Sequence, residues 1–168
     1  PIFDLNVEYA SVEETVTDLQ TLQAVMGQHA PIRLEMGNEF YLSSYRWRFP
    51  NATSYLQWIL PVISAARSIF PNATIAVVAS NPRNPGEGCA GSWNEQLSKF
   101  RGHFDAVTLH DYTMNSVWLN STFPEASNDT KTSIILGFAE AYVRNAAENI
   151  ASCFSPDTPI LQTEFNYA

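Results

Sequence analysis

Lysine is almost missing from this chain: Lys99 and Lys131 are the only two among 168 residues. Nine basic residues face 17 acidic ones, giving a net charge of −8 and an isoelectric point near 4.7. No basic stripe is left that could neutralise a phosphate backbone, so nucleic acid is excluded as an expected partner. Long apolar runs are also lacking. None approaches the ~20 residues that a membrane span requires. Neither an HExxH pattern nor paired CxxC spacing occurs, so His103, His110 and Asp111 do not read as metal ligands and no cofactor is expected. There is no internal repeat and no low-complexity tract. Cysteine is limited to Cys89 and Cys153, which permit one disulfide or two buried thiols.

What the chain does contain is 45% hydrophobic residues, enough for the core of one domain spanning residues 1–168. Four Asn-x-Thr sequons, at Asn51, Asn72, Asn120 and Asn128, stand in polar contexts where an N-glycan could sit. They favour a eukaryotic secretory protein, extracellular or delivered to a lysosome or vacuole. The sequence opens at Pro1 with neither a starting Met nor a signal peptide, as expected of a mature or excised piece.

Apolar patterning predicts alternating strands and helices. Residues 1–9 have strand composition. Ser11 with Glu14 forms a capping box that opens a helix through Val12, Val16, Leu19, Leu22 and Met26, closed by Gly27. Residues 31–36 alternate Ile32, Leu34 and Met36 as a buried strand ending in Gly37-Asn38-Glu39. A helix over about 54–70 follows, with Pro61 inside it, then the wholly apolar strand 74–79 of the kind covered on both faces. A Pro- and Gly-rich loop leads to a short helix at about 92–101. Strand 104–112, a polar loop, a long helix at about 132–154 and a last strand at about 159–165 complete the order. Five strands separated by helices imply a parallel sheet with right-handed crossovers. A complete (β/α)8 barrel takes ~250 residues, so the expectation is either part of a barrel or an open sheet with a switch-point crevice.

Two strands end on a carboxylate, Glu39 and Glu164, separated by 125 positions. Two glutamates at the carboxyl ends of parallel strands are the parts that glycoside hydrolysis needs: a proton donor and a nucleophile or base. Glu39, beside Asn38 and partly desolvated, is the candidate acid/base; Glu164 is the candidate nucleophile. His110 and Tyr112 lie two apart at the end of their strand and point to one side, where an imidazole can bind a sugar hydroxyl and a phenol can hold Glu164 ionised. A packed aromatic pair is the plainer account. Trp47, with Tyr41, Tyr45, Arg46 and Arg48, crowds the loop after Glu39, supplying faces for sugar stacking and guanidinium groups for a uronate; a helix-flanking salt-bridge cluster is the preferred account of the arginines. Asn6 and Glu8 close the first strand and can face the same cleft or simply form a solvated turn.

Gly37-Asn38-Glu39, His110-x-Tyr112 and Thr163-Glu164-Phe165-Asn166, each closing a strand, resemble clan A of the retaining glycoside hydrolases, the 4/7 superfamily. Within it, Ile2–Asn6, Leu34–Glu39 and Val107–Tyr112 are similar to the heparanase and β-glucuronidase family, whereas Thr163–Asn166 looks more like other branches. The resemblance implies a partial (β/α)8 TIM barrel comprising about strands three to seven, and a double displacement on a β-linked glycan or uronide without cofactor. It implies that Asn38 binds the sugar 2-hydroxyl, that Glu39 is acid/base, Glu164 nucleophile and Tyr112 its partner. The rival expectations are a carbohydrate-binding fragment that has lost catalysis and a structural piece that associates with missing barrel segments or a partner chain.

Overall fold

The computed structural model describes residues 1–80, 89, 92–111, 122 and 124–165, without the side chains of 111, 135, 138, 139, 142, 164 and 165. Five strands, β1 (Ile2–Asp4), β2 (Arg33–Glu35), β3 (Thr74–Val78), β4 (Ala106–Asp111) and β5 (Ile160–Phe165), pair in that order. Every pairing is parallel, and the sheet is curled into half a barrel. The order never reverses. A doubly wound sheet has its crevice at such a reversal, and the described strands contain none.

Among the described residues four α-helices alternate with the strands: α1 (Val12–Met26), α2 (Ala52–Ile69), α3 (Trp93–Ser98) and α4 (Asn128–Cys153). Sequential order with right-handed crossovers puts them in one layer, and α1 packs on α2, α2 on α3 and α3 on α4. The layer and sheet share a continuous core that includes Leu34, Leu56, Ile59, Ile75, Val77, Val107 and Ile150. Alternate sheet positions, Glu35, Ala76, Val78, Ala106, Thr108 and His110, are buried but stand outside that core. They belong to the other, concave face, as the two-residue strand period requires.

Several boundaries differ from those the patterning predicts, each for a local reason. The first strand stops at Asp4 rather than continuing to Tyr9, because the Val7 N–H turns back to the Leu5 carbonyl and the Tyr9 N–H reaches the Asn6 side chain. Helix α2 starts at Ala52, since Asn51 and Ser54 cap each other reciprocally. Helix α4 starts four residues early because Ser127 accepts from the Thr130 N–H and Asp129 suits the positive helix end, which turns a polar loop-like segment into a first turn. The capping box at Ser11 and Glu14 forms as expected and holds the exposed Glu14 carboxyl below its usual range.

Cys89 and Cys153 form a disulfide, with Cα atoms 5.2 Å apart, joining the segment before α3 to the end of α4. Nearby, buried Asn94 accepts from the Ser80 N–H and donates to Ser80 O and Asn149 Oδ1, tying β3, α3 and α4 together.

Two tests follow from the packing around the β2 exit. Gly37 has φ +87°, and a Cβ there would collide with the ring of Phe40 and crowd Val7. Gly37→Ala should therefore lower unfolding stability by about 1–3 kcal/mol in urea titration. Tyr55 is fully buried and donates to the Met36 carbonyl at 2.6 Å, and burial pushes its phenol well above the ordinary 10.0. A group whose pKa rises on folding stabilises fully below its unfolded pKa and loses that contribution above it. Thermal stability should accordingly hold up to pH 10 and fall beyond it, and Tyr55→Phe should flatten the fall.

Candidate active site on the concave face

The site is assembled from the β2 exit outward. Gly37 lets the chain leave the strand in a conformation that favours glycine, and Phe40 drops into the helix side of the sheet. There it meets Phe49 edge-on at 4.9 Å and also Tyr45 and Tyr55. With Phe40 anchored, the preceding Glu39 stays on the concave side, its side chain only 16% exposed. Tyr41 donates to Glu39 Oε1 at 3.0 Å, and His110 Nδ1 lies 3.8 Å from the same oxygen. Oε2 of Glu39 has no hydrogen-bond partner among the described residues, so it is the oxygen available to a ligand.

Beneath Glu39 lies a carboxylate that strand alternation alone did not single out. Glu35, on β2, is 3% exposed, and its Oε1 lies 2.8 Å from Nε2 of His110, itself 1% exposed. Thr163 of β5 donates to the same oxygen at 3.0 Å. A usable signal was present: in a strand flanked by buried residues on both faces, an acid has to be buried and therefore paired. His110 is the partner, which makes it a member of the cluster rather than a packed aromatic.

An extra residue on β5, Thr163, falls between the pairs Leu109–Gln162 and His110–Glu164, and this bulge shifts the register so that His110 stands opposite Glu164. The backbone of Glu164 is thus beside the Glu35–His110–Glu39 cluster, while its side chain and the whole of Tyr112 lie outside the described residues. Asn38 and Asn6 do come together. They line a cleft of about 290 Å³ with Asp4, Glu8 and Phe40, and Oδ1 of Asn38 is buried without a hydrogen-bond partner among the described residues. A polar atom held dry and unsatisfied is costly in a folded chain, and a ligand hydroxyl would satisfy it.

Trp47 is 63% exposed and meets Tyr9 at 6.0 Å, on the outer side of the loop, with no described contact to the acidic cluster. Arg48 donates to the carbonyls of Val7 and Ala10 and lies over Phe49 and Trp58, fastening the two loops together. Arg46 lines a separate groove of about 160 Å³ with Tyr41, Phe49 and Trp93. Among the described residues no group of acidic, histidine or cysteine side chains is arranged to hold a metal ion, and no helix is long and apolar enough to cross a membrane.

No protein-family model matches this chain, and no curated protein matches it. The site therefore rests on its own geometry. Removing the carboxylate leaves the buried His110 ring and the Thr163 hydroxyl without their shared acceptor, so Glu35→Ala should destabilise the fold by about 1–3 kcal/mol in urea titration, more than an exposed Glu13→Ala control.

Proposed function

We propose that the chain carries the catalytic rim of a (β/α)8-type retaining glycoside hydrolase that cleaves a β-glycosidic bond in a glycan or uronide. The observation that carries this reading is the hydrogen bond from Thr163 on β5 to Glu35 on β2. Three strand spacings on a flat sheet would separate those strands by about 14 Å. Here the curl is tight enough for their side chains to touch, and each neighbours one of the two candidate carboxylates. That curvature supports a Glu39–Glu164 separation in the ~5–5.5 Å range used for double displacement.

In this mechanism the Glu164 carboxylate attacks the anomeric carbon while Glu39 gives its proton to the departing glycosidic oxygen. A covalent glycosyl–enzyme ester results. Glu39 then takes a proton from water, the water oxygen attacks the anomeric carbon, and the Glu164 carboxylate leaves. Asn38, with its unsatisfied Oδ1, would accept from a sugar hydroxyl, and Asn6 would extend the same cleft. Tyr112 would hold Glu164 ionised, and Trp47 would offer a stacking face further out. The disulfide suits an oxidising setting outside the cytosol, whether extracellular, lysosomal or vacuolar.

One feature favours a second reading. β1 and β5 each pair on a single side among the described residues, as in a carbohydrate-binding fragment that needs further strands or a partner chain. Aryl glucuronide, glucoside and xyloside substrates separate the two: binding without turnover supports the fragment. Where turnover is found, Glu39→Ala and Glu164→Ala should each lower kcat/KM by at least about 10²-fold. Ordinary turnover by the double variant would refute the assignment.

A further inference from the structure

We propose that Glu35 is a positioning residue whose buried carboxylate accepts the Nε2–H of His110 and so turns the opposite ring edge, Nδ1, toward Glu39. The inference deepens the glycosidase reading and rests on it for its kinetic consequence, but the geometry stands alone. An Nε2 lone pair placed 2.8 Å from a carboxylate oxygen would face electron density with electron density, deep in a site where 1% and 3% exposure leaves little water to intervene. The proton therefore resides on Nε2. Thr163 supplies a second donor to the same oxygen, so the carboxylate is held from β4 and β5 together. With one nitrogen committed, the ring cannot rotate, and the proton it gains or loses is the one on Nδ1, 3.8 Å from Glu39 Oε1.

Other ionisable groups are in register with this arrangement or bonded to it. Asp4 on β1 is the register neighbour of Glu35, and Glu164 on β5 is that of His110. Tyr41 donates to Glu39, and β3 presents Ala76 beside Glu35 in register. His110 thus stands between the two carboxylates, 2.8 Å from Glu35 and 3.8 Å from Glu39, and the ring tunes the acid/base carboxyl as a positioning group.

The test uses the 168-residue chain with the two exposed histidines replaced, His29→Gln and His103→Gln, which leaves His110 as the single imidazole. Long-range ¹H–¹⁵N NMR should find Nε2 protonated at every pH where the chain is folded, with Nδ1 the titrating nitrogen. A neutral ring protonated on Nδ1 would overturn the proposal. In Glu35→Gln, whose amide can donate as well as accept, the fixed tautomer should be lost. Turnover of any aryl glycoside that the parent hydrolyses should then fall about 100-fold in kcat, with KM within a few-fold and an altered pH profile. An unchanged tautomer and kcat in folded Glu35→Gln would also overturn it. Should that variant fail to fold, the tautomer in the chain that keeps Glu35 decides. Because the tautomer is read without substrate, absence of glycosidase activity refutes the function and leaves this inference standing, whereas the wrong tautomer with normal hydrolysis does the reverse.

Discussion

A single buried carboxylate organises the concave side of this protein. Glu35 reaches from β2 to a histidine on β4 and a threonine on β5, and a hydrogen bond between second and fifth strands exists only if the sheet bends sharply. Burying a carboxylate is costly unless donors surround it, so the pairing and the curvature depend on each other. Flatten the sheet and Glu35 loses its partners. Remove those partners and β2 loses its described side-chain link to β4 and β5.

The convex side supplies the opposing constraint. Leu34, Ile75, Val77 and Val107 pack against helices whose neighbours follow chain order, and this one-sided layer leaves the strand exits clear. Gly37 and the Phe40–Phe49–Tyr55 cluster then fix where the chain leaves β2. Arg48 ties that loop to the one after β1. The outcome is a rim on which Glu39 and Asn38 each keep an oxygen without a described partner, an arrangement with more use in binding and proton transfer than in stability.

Much of the scaffold is readable from the amino acids. The alternation of apolar strands with helical periodicity gives the parallel order, and Ser11-x-x-Glu14 with Gly27 marks the first helix closely. Boundaries slip where polar residues act as caps rather than loops, as at Asn51 and Ser127. Of the site, Glu39, Asn38, Asn6 and His110 are visible as polar groups at strand exits. Glu35 is not, because its neighbours Leu34 and Met36 define the core face and an intervening acid reads as solvent-facing until the second face is known to be covered too. The β5 bulge at Thr163, which sets His110 opposite Glu164, is likewise a property of the paired strands and not of either sequence alone. Arg48 misleads in the other direction, since a guanidinium beside aromatics suits a ligand as well as it suits backbone carbonyls.

The most direct measurement is the separation of the Glu39 and Glu164 carboxyl groups in a crystal structure of this chain. A retaining hydrolase on this scaffold predicts ~5–5.5 Å with both groups on the concave rim. A separation of ~6.5 Å or more would contradict double displacement, and carboxyl groups on opposite faces of the sheet would contradict hydrolysis by this pair altogether.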